Sequence, residues 1–182
     1  MYHFPKRSFG ETKFFTGKRI VITGASGLIG TAMTKYLVEQ HLQHFHQLYL
    51  IIRHDLPEDL KYLLPLEQVH ILKMNLSDTC DLIPTADIII HAAGYGQPQR
   101  FLQHPIDTIR LNTFTTMELF KRLRIGGSFL FLSTSELYNG LNKPGYQPTE
   151  QDIGTTIPQD PRGCYIESKR CGVCFHPERC SL

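Results

Sequence analysis

Apolar residues gather in five short runs: Ile20 to Ile22, Leu48 to Ile52, Val69 to Leu72, Ile88 to Ile90 and Phe129 to Leu132. Runs this short and continuous read as strands buried on both faces. After the first run, Leu28, Ile29, Met33, Leu37 and Val38 recur at helical spacing, and a second helical stretch extends from about Pro105 to Leu123. The remaining segments between runs are long enough for crossovers. Strands alternating with helices predict an α/β fold, a Rossmann-type doubly wound parallel sheet covered on both faces. Three segments follow: an N-terminal arm at 1–17, the sheet domain at 18–170 and a tail at 171–182. The stretch from Asn139 to Arg162 is rich in Gly, Pro, Asn and Gln and reads as a long loop, a length that in compact domains usually carries function.

The first strand runs directly into Thr23-Gly24-Ala25-Ser26-Gly27-Leu28-Ile29-Gly30, which opens the first helix. In that context glycines at three-residue spacing indicate dinucleotide binding. Gly24 permits the sharp turn, Gly27 lets backbone approach a diphosphate, and Gly30 allows close packing of helix on strand. Ser26, Leu28 and Ile29 complete the candidate site, where the free N–H groups and positive end of the helix dipole meet the anion. The alternative is a structural strand-to-helix turn without a ligand. An acidic residue normally ends the second strand and binds the adenosine ribose. Here that strand ends at Arg53, with Asp55 two residues later. Arg53 suits a 2′-phosphate or stacking on adenine, so the expected cofactor is NAD with NADP left open.

Composition narrows the partners. Among 182 residues, 19 basic and 17 acidic side chains give a net charge of +2. Without a basic cluster there is no electrostatic footprint for nucleic acid or an anionic membrane, and no apolar run approaches the ~20 residues that span a bilayer. The cysteine count is odd at five, and the N-terminus lacks the apolar run of a signal peptide; a reduced, cytoplasmic setting is expected. Cys171, Cys174, His176 and Cys180 are zinc-ligand types, yet their spacing matches no standard pair of zinc loops, so no metal is expected.

Further motifs occur in a fixed order: Asn75-Leu76-Ser77-Asp78, His91-Ala92-Ala93-Gly94, Asn112, Ser133-Thr134-Ser135-Glu136-Leu137-Tyr138 and Tyr165-x-x-x-Lys169. With the glycine turn, this set resembles the extended short-chain dehydrogenases/reductases, the NAD-dependent epimerases, dehydratases and decarboxylases of nucleotide sugars. The resemblance runs from about Lys18 to Arg170. It implies that Asp78 reads the adenine amino group, with Asn75 and Leu76 beside it, and that Ala92, Ala93 and Gly94 are small because the cofactor crosses that strand end. A helix N-cap is the other reading of Asp78. Asn112 joins the cofactor-binding set.

The resemblance makes Thr134, Tyr165 and Lys169 the catalytic group. Tyr165 and Lys169, at i and i+4, share one helix face. A phenol titrates near pH ~10, and a neighbouring ammonium favours its phenolate, which then serves as general base. Lys169 also holds the nicotinamide ribose, and Thr134 hydrogen-bonds the substrate hydroxyl. An exposed helix pair is the bland alternative for Tyr165 and Lys169. Ser135 stands where the dehydratases carry an acidic residue, which argues against dehydration, while Glu136 remains.

Together with Pro161 to Arg170, these motifs look most like the UDP-glucuronate decarboxylases. By that likeness Tyr165 takes the C4 hydroxyl proton as hydride leaves, the 4-keto sugar loses carbon dioxide, and returned hydride yields UDP-xylose. Glu136 then orients or protonates near the carboxylate, or else forms a strand-end salt bridge. A nucleotide-sugar 4-epimerase and a non-catalytic cofactor-binding fragment are the alternatives. The match stops after Arg170, so the chain resembles a truncated member without the last strands and the substrate domain, and weak turnover is expected. Homodimers are common in the family, through the helix that bears Tyr165.

Overall fold

The computed structural model describes residues 12–141, 144–157 and 159–175. These fall into two compact units, one of residues up to Ala93 with Leu119–Leu130, the other of Gly94–Glu118 with Phe131 onward.

The first unit carries a five-stranded sheet in the order β3-β2-β1-β4-β5. Its strands are β1 (Arg19–Thr23), β2 (Gln47–Ile52), β3 (Val69–Lys73), β4 (Ala86–His91) and β5 (Leu123–Phe131). β1 pairs in parallel with β2 and β4, and β2 with β3, so the doubly wound expectation describes this unit. Ile20, Val21 and Ile22 are fully buried, because a central parallel strand is covered on both faces. Helix α1 (Thr12–Phe15) lies within the N-terminal arm, and α2 (Leu28–His41) packs Leu37 and Val38 into a core with Ile20, Ile22, Leu48, Leu50 and Phe45. A 3-10 helix at Glu58–Leu63, which the hydrophobic pattern does not reveal, adds Leu60 and Leu63.

β5 differs from the other strands. It starts six residues before the apolar run Phe129 to Leu132, directly after helix α5 (Phe114–Arg122), and forms the sheet edge beside β4. Ile125 is fully exposed there. Its added residues, Leu123 to Ser128, interrupt the apolar pattern with Arg124, Gly126, Gly127 and Ser128, which is why hydrophobicity alone misses them.

The second unit is built on α3 (Pro98–Gln103), α4 (Pro105–Asn112) and α6 (Gly163–Cys174). The helix expected from Pro105 to Leu123 is two, α4 and α5, separated at Thr113, which caps α4 with φ −116° and ψ −77°. Between a 3-10 turn at Ser135–Tyr138 and α6 the described residues form neither helix nor strand, as the loop reading expects. α6 continues to Cys174, four residues past the point where the resemblance ends, while His176 and Cys180 lie outside the described residues. Among the described residues no group of His, Cys, Asp and Glu is arranged to hold a metal ion, and no helix is long and apolar enough to cross a membrane.

Candidate active site

In the first unit the glycine turn owes its shape to contacts that exclude a side chain. Gly24 has φ +65°, and a Cβ there would lie 2.7 Å from the backbone of Ala93. A Cβ on Gly30 would lie 2.2 Å from the Gly24 carbonyl oxygen. Both distances are well inside van der Waals contact, so these two positions admit only glycine. Gly27 is exposed, its nearest neighbour to a Cβ being the Gly24 carbonyl at 3.3 Å. It caps α2 without any side-chain hydrogen bond to the first turn, which leaves first-turn N–H groups for an outside acceptor. Leu28 is 91% exposed, and Ser26 is half-buried. A cradle that a Cβ would fill, facing an uncapped helix start, fits a dinucleotide diphosphate.

The adjoining strand ends are tied together. Ala92 N–H donates to the Thr23 carbonyl and Ala93 N–H to Thr23 Oγ1, each at 3.2 Å, and Thr23 Oγ1 lies 2.7 Å from His91 Nδ1. Thr23 and His91 are fully buried; the sequence marks them as the first residues of their motifs, not as the clamp that sets them. Asp78 is exposed and accepts from Asn75 Nδ2 at 2.9 Å, while Asn75 Oδ1 accepts from Ser77 N–H. Residues 76–78 form a turn and no helix starts there, which removes the N-cap reading of Asp78. Asn75 therefore shapes the turn that presents Asp78, a task for which its neutral amide serves better than a second carboxylate. Leu76 is buried and anchors the turn.

In the second unit Tyr165 and Lys169 are 8% and 5% exposed, so they are no solvent-facing helix pair. Lys169 Nζ donates to the Leu132 carbonyl at 2.6 Å and sits 4.5 Å from the Phe131 ring centroid. Burial holds its pKa well below the usual lysine value, at about 8, because desolvation penalises the ammonium. Asn112 is fully buried; its Nδ2 donates to Ser168 Oγ at 3.0 Å, and Ser168 Oγ in turn donates to the Tyr165 carbonyl. A Cβ on Gly94 would stand 3.7 Å from both Asn112 Oδ1 and Lys169 Nζ. Gly94, Asn112 and Lys169 are thus brought together, and Asn112 Oδ1 is a buried acceptor without a partner among the described residues.

Thr134 caps the 3-10 turn, its Oγ1 accepting from Glu136 N–H at 3.2 Å, so its hydroxyl proton remains available to an outside acceptor. Glu136 takes the salt-bridge alternative: Arg162 donates to its two carboxylate oxygens at 2.5 and 3.3 Å. Phe101 escapes sequence reasoning, and Arg162 enters it only as part of the run Pro161 to Arg170. The fully buried Phe101 stacks on Tyr165, and the Arg162 guanidinium lies 5.3 Å over the Phe101 ring. Spacing within one segment does not pair them, since they meet only through the packing of α3 and α6.

Residues 20–174 match the NAD dependent epimerase/dehydratase family. The chain belongs to that family. UDP-glucuronic acid decarboxylase 1 of Danio rerio is 28% identical over 173 residues, covering 84% of this chain and 35% of the relative. Thus this chain spans about a third of that relative's length. Among solved structures, the UDP-Glc/GlcNAc 4-epimerase from Campylobacter jejuni aligns with TM-score 0.66 and 20% identity, over 86% of this chain and 47% of its own. MoeE5 in complex with UDP-glucuronic acid and NAD aligns with TM-score 0.64 and 18% identity, over 85% and 47%. At such identities the structural likeness speaks for the fold: a parallel, Rossmann-like sheet of the kind found in epimerase and dehydratase domains.

Proposed function

We propose that this chain carries the cofactor-binding and proton-transfer residues of an enzyme that oxidises a nucleotide sugar at C4, most like a UDP-glucuronate decarboxylase. The observation that carries this reading is the buried Tyr165 and Lys169 on one face of α6, the lysine fixed by the Leu132 carbonyl. Similarity to UDP-glucuronic acid decarboxylase 1 favours the sugar acid as substrate.

When bound, the dinucleotide supplies the hydride acceptor and then the donor. Tyr165 takes the proton of the C4 hydroxyl and returns it at the end. Lys169, a cation in a dry setting below pH ~8, supports the phenolate and offers N–H donors to the nicotinamide ribose. Thr134 orients the hydroxyl through its own free O–H. Oxidation at C4 leaves the carboxylate β to a ketone, so the C–C bond breaks with its electron pair entering an enolate as carbon dioxide departs. Glu136, held by Arg162, sits on the turn that begins at Thr134. In the first unit, Gly24, Gly27 and Gly30 admit the diphosphate, with Ser26, Leu28 and Ile29 lining its approach.

Supplying UDP-glucuronate labelled at its carboxyl carbon, with dinucleotide, tests the reading. Release of labelled carbon dioxide, lost in Tyr165→Phe, supports it. C4 epimerisation without release moves the assignment to an epimerase. Dinucleotide binding with no turnover makes the chain a cofactor-binding protein. A homodimer and a cytoplasmic setting accompany the proposal as expectations, checked by sedimentation and by fractionation.

A further inference from the structure

The carboxyl end of α6 carries chemistry that the candidate active site does not use. Cys171 and Cys174 flank Gly172 and Val173 in the last turn of the helix, and both are exposed free thiols. The other described cysteines differ: Cys80 is buried, and Cys164 is half-buried, with burial pushing its thiol pKa up. Exchange with a disulfide needs an accessible thiolate, a condition that 171 and 174 meet best.

Spacing puts these two thiols near each other. Residues three apart on a helix have Cβ atoms about 5–6 Å apart, and a disulfide requires roughly 3.5–4.5 Å. The Cys174 thiol donates to the Arg170 carbonyl at 3.4 Å, so its sulfur leans back along the helix toward the turn that bears Cys171. Phe175 N–H donates to the Gly172 carbonyl, an i to i−3 bond of the 3-10 kind, in which side chains three apart eclipse. Extending that tightening one residue back closes the remaining gap.

The same turn is seated close to Lys169. A Cβ on Gly172 would lie 2.8 Å from the Asn112 carbonyl oxygen and closer still to the Phe131 ring, the ring over which Lys169 Nζ sits. Packing this tight passes a change in the turn on to its neighbours.

We propose that Cys171 and Cys174 are a reversible modification site, a dithiol that a small-molecule disulfide such as glutathione disulfide converts to an intrahelical disulfide, shifting the seat of Lys169. One protein thiolate attacks the reagent and expels the first glutathione thiolate; the second attacks the mixed disulfide and expels the other. The two protein thiols are oxidised, the reagent is reduced to two thiols, and the two protein protons pass to them. The inference uses neither the dinucleotide nor the sugar reading.

The test incubates the full chain with glutathione disulfide, alkylates the remaining thiols and digests with trypsin. Cleavage after Arg170 and Arg179 frees residues 171–179, whose only cysteines are Cys171 and Cys174. Expected is this peptide unalkylated and lighter by two hydrogens, restored by dithiothreitol, kept in Cys164→Ser and lost in Cys174→Ser, whose melting temperature confirms folding. Acetylation of Lys169 by acetic anhydride should rise several-fold in the oxidised chain, and not in the doubly substituted Cys171→Ser, Cys174→Ser protein given the same treatment. A peptide that stays alkylated, carries glutathione, or is linked to Cys180 or to a second chain overturns the site. A disulfide that forms while acetylation of Lys169 holds constant overturns the shift.

Discussion

The ring of Phe101 lies flat on that of Tyr165, centroids 4.6 Å apart and planes 5° from parallel. Tyr165 thus has its plane set by a residue from a different helix, and Phe101 itself has no exposed surface. Removing this ring leaves a cavity and frees the phenol. Phe101→Ala is expected to cost about 3–5 kcal/mol, read from the midpoint of urea unfolding. Phe101→Leu should cost less and still fold, and proton nuclear resonance of the Tyr165 ring should show faster flipping in it than in the native protein.

The pair of Glu136 and Arg162 is only part-buried, with side chains 28% and 37% exposed. Its direct contribution is accordingly small, about 1 kcal/mol or less. A double-mutant cycle of Glu136→Gln and Arg162→Met, followed by chemical denaturation, should give a coupling energy in that range. A larger coupling would mean that the pair is desolvated more than its exposure indicates.

Lys169 lowers stability at neutral pH, because burial disfavours its ammonium and brings its pKa to about 8. Between that value and the ordinary lysine range near ~10.4 the unfolded chain binds more protons than the folded one, so stability rises with pH across this window. The full effect is on the order of 3 kcal/mol. Lys169→Met should be more stable than the native protein at pH 7, and the gap should narrow by pH 10. Thermal melts of both proteins across that range check the sign; a gap that widens with pH would refute it.

The three glycines of the turn separate structure from binding. Gly24→Ala places a Cβ 2.7 Å from the Ala93 backbone at φ +65°, and is expected to destabilise by about 2 kcal/mol or more. Gly27→Ala meets its nearest neighbour only at 3.3 Å. It should keep the melting temperature within a few degrees while weakening dinucleotide binding roughly tenfold or more, as the added methyl occupies the approach of the diphosphate. Calorimetry and melting curves on the two variants distinguish these outcomes.

The parallel sheet and the place of the glycine turn are legible in the amino-acid order alone. Both depend on local signals, namely apolar runs a strand long and glycines where a Cβ would collide, and these survive without knowledge of distant neighbours. The same order places Tyr165 and Lys169 on one face, since helical spacing alone does that. Packing between distant segments buries this face, sets Lys169 against the Leu132 carbonyl and brings Asn112 near it. The same packing ends α4 at Thr113, starts β5 at Leu123 and pairs Glu136 with Arg162. Phe101 and Tyr165, or Asp55 and Lys73, meet because separate elements pack or pair in register. Contacts of that kind depend on the positions of whole elements, and no spacing within one segment encodes them.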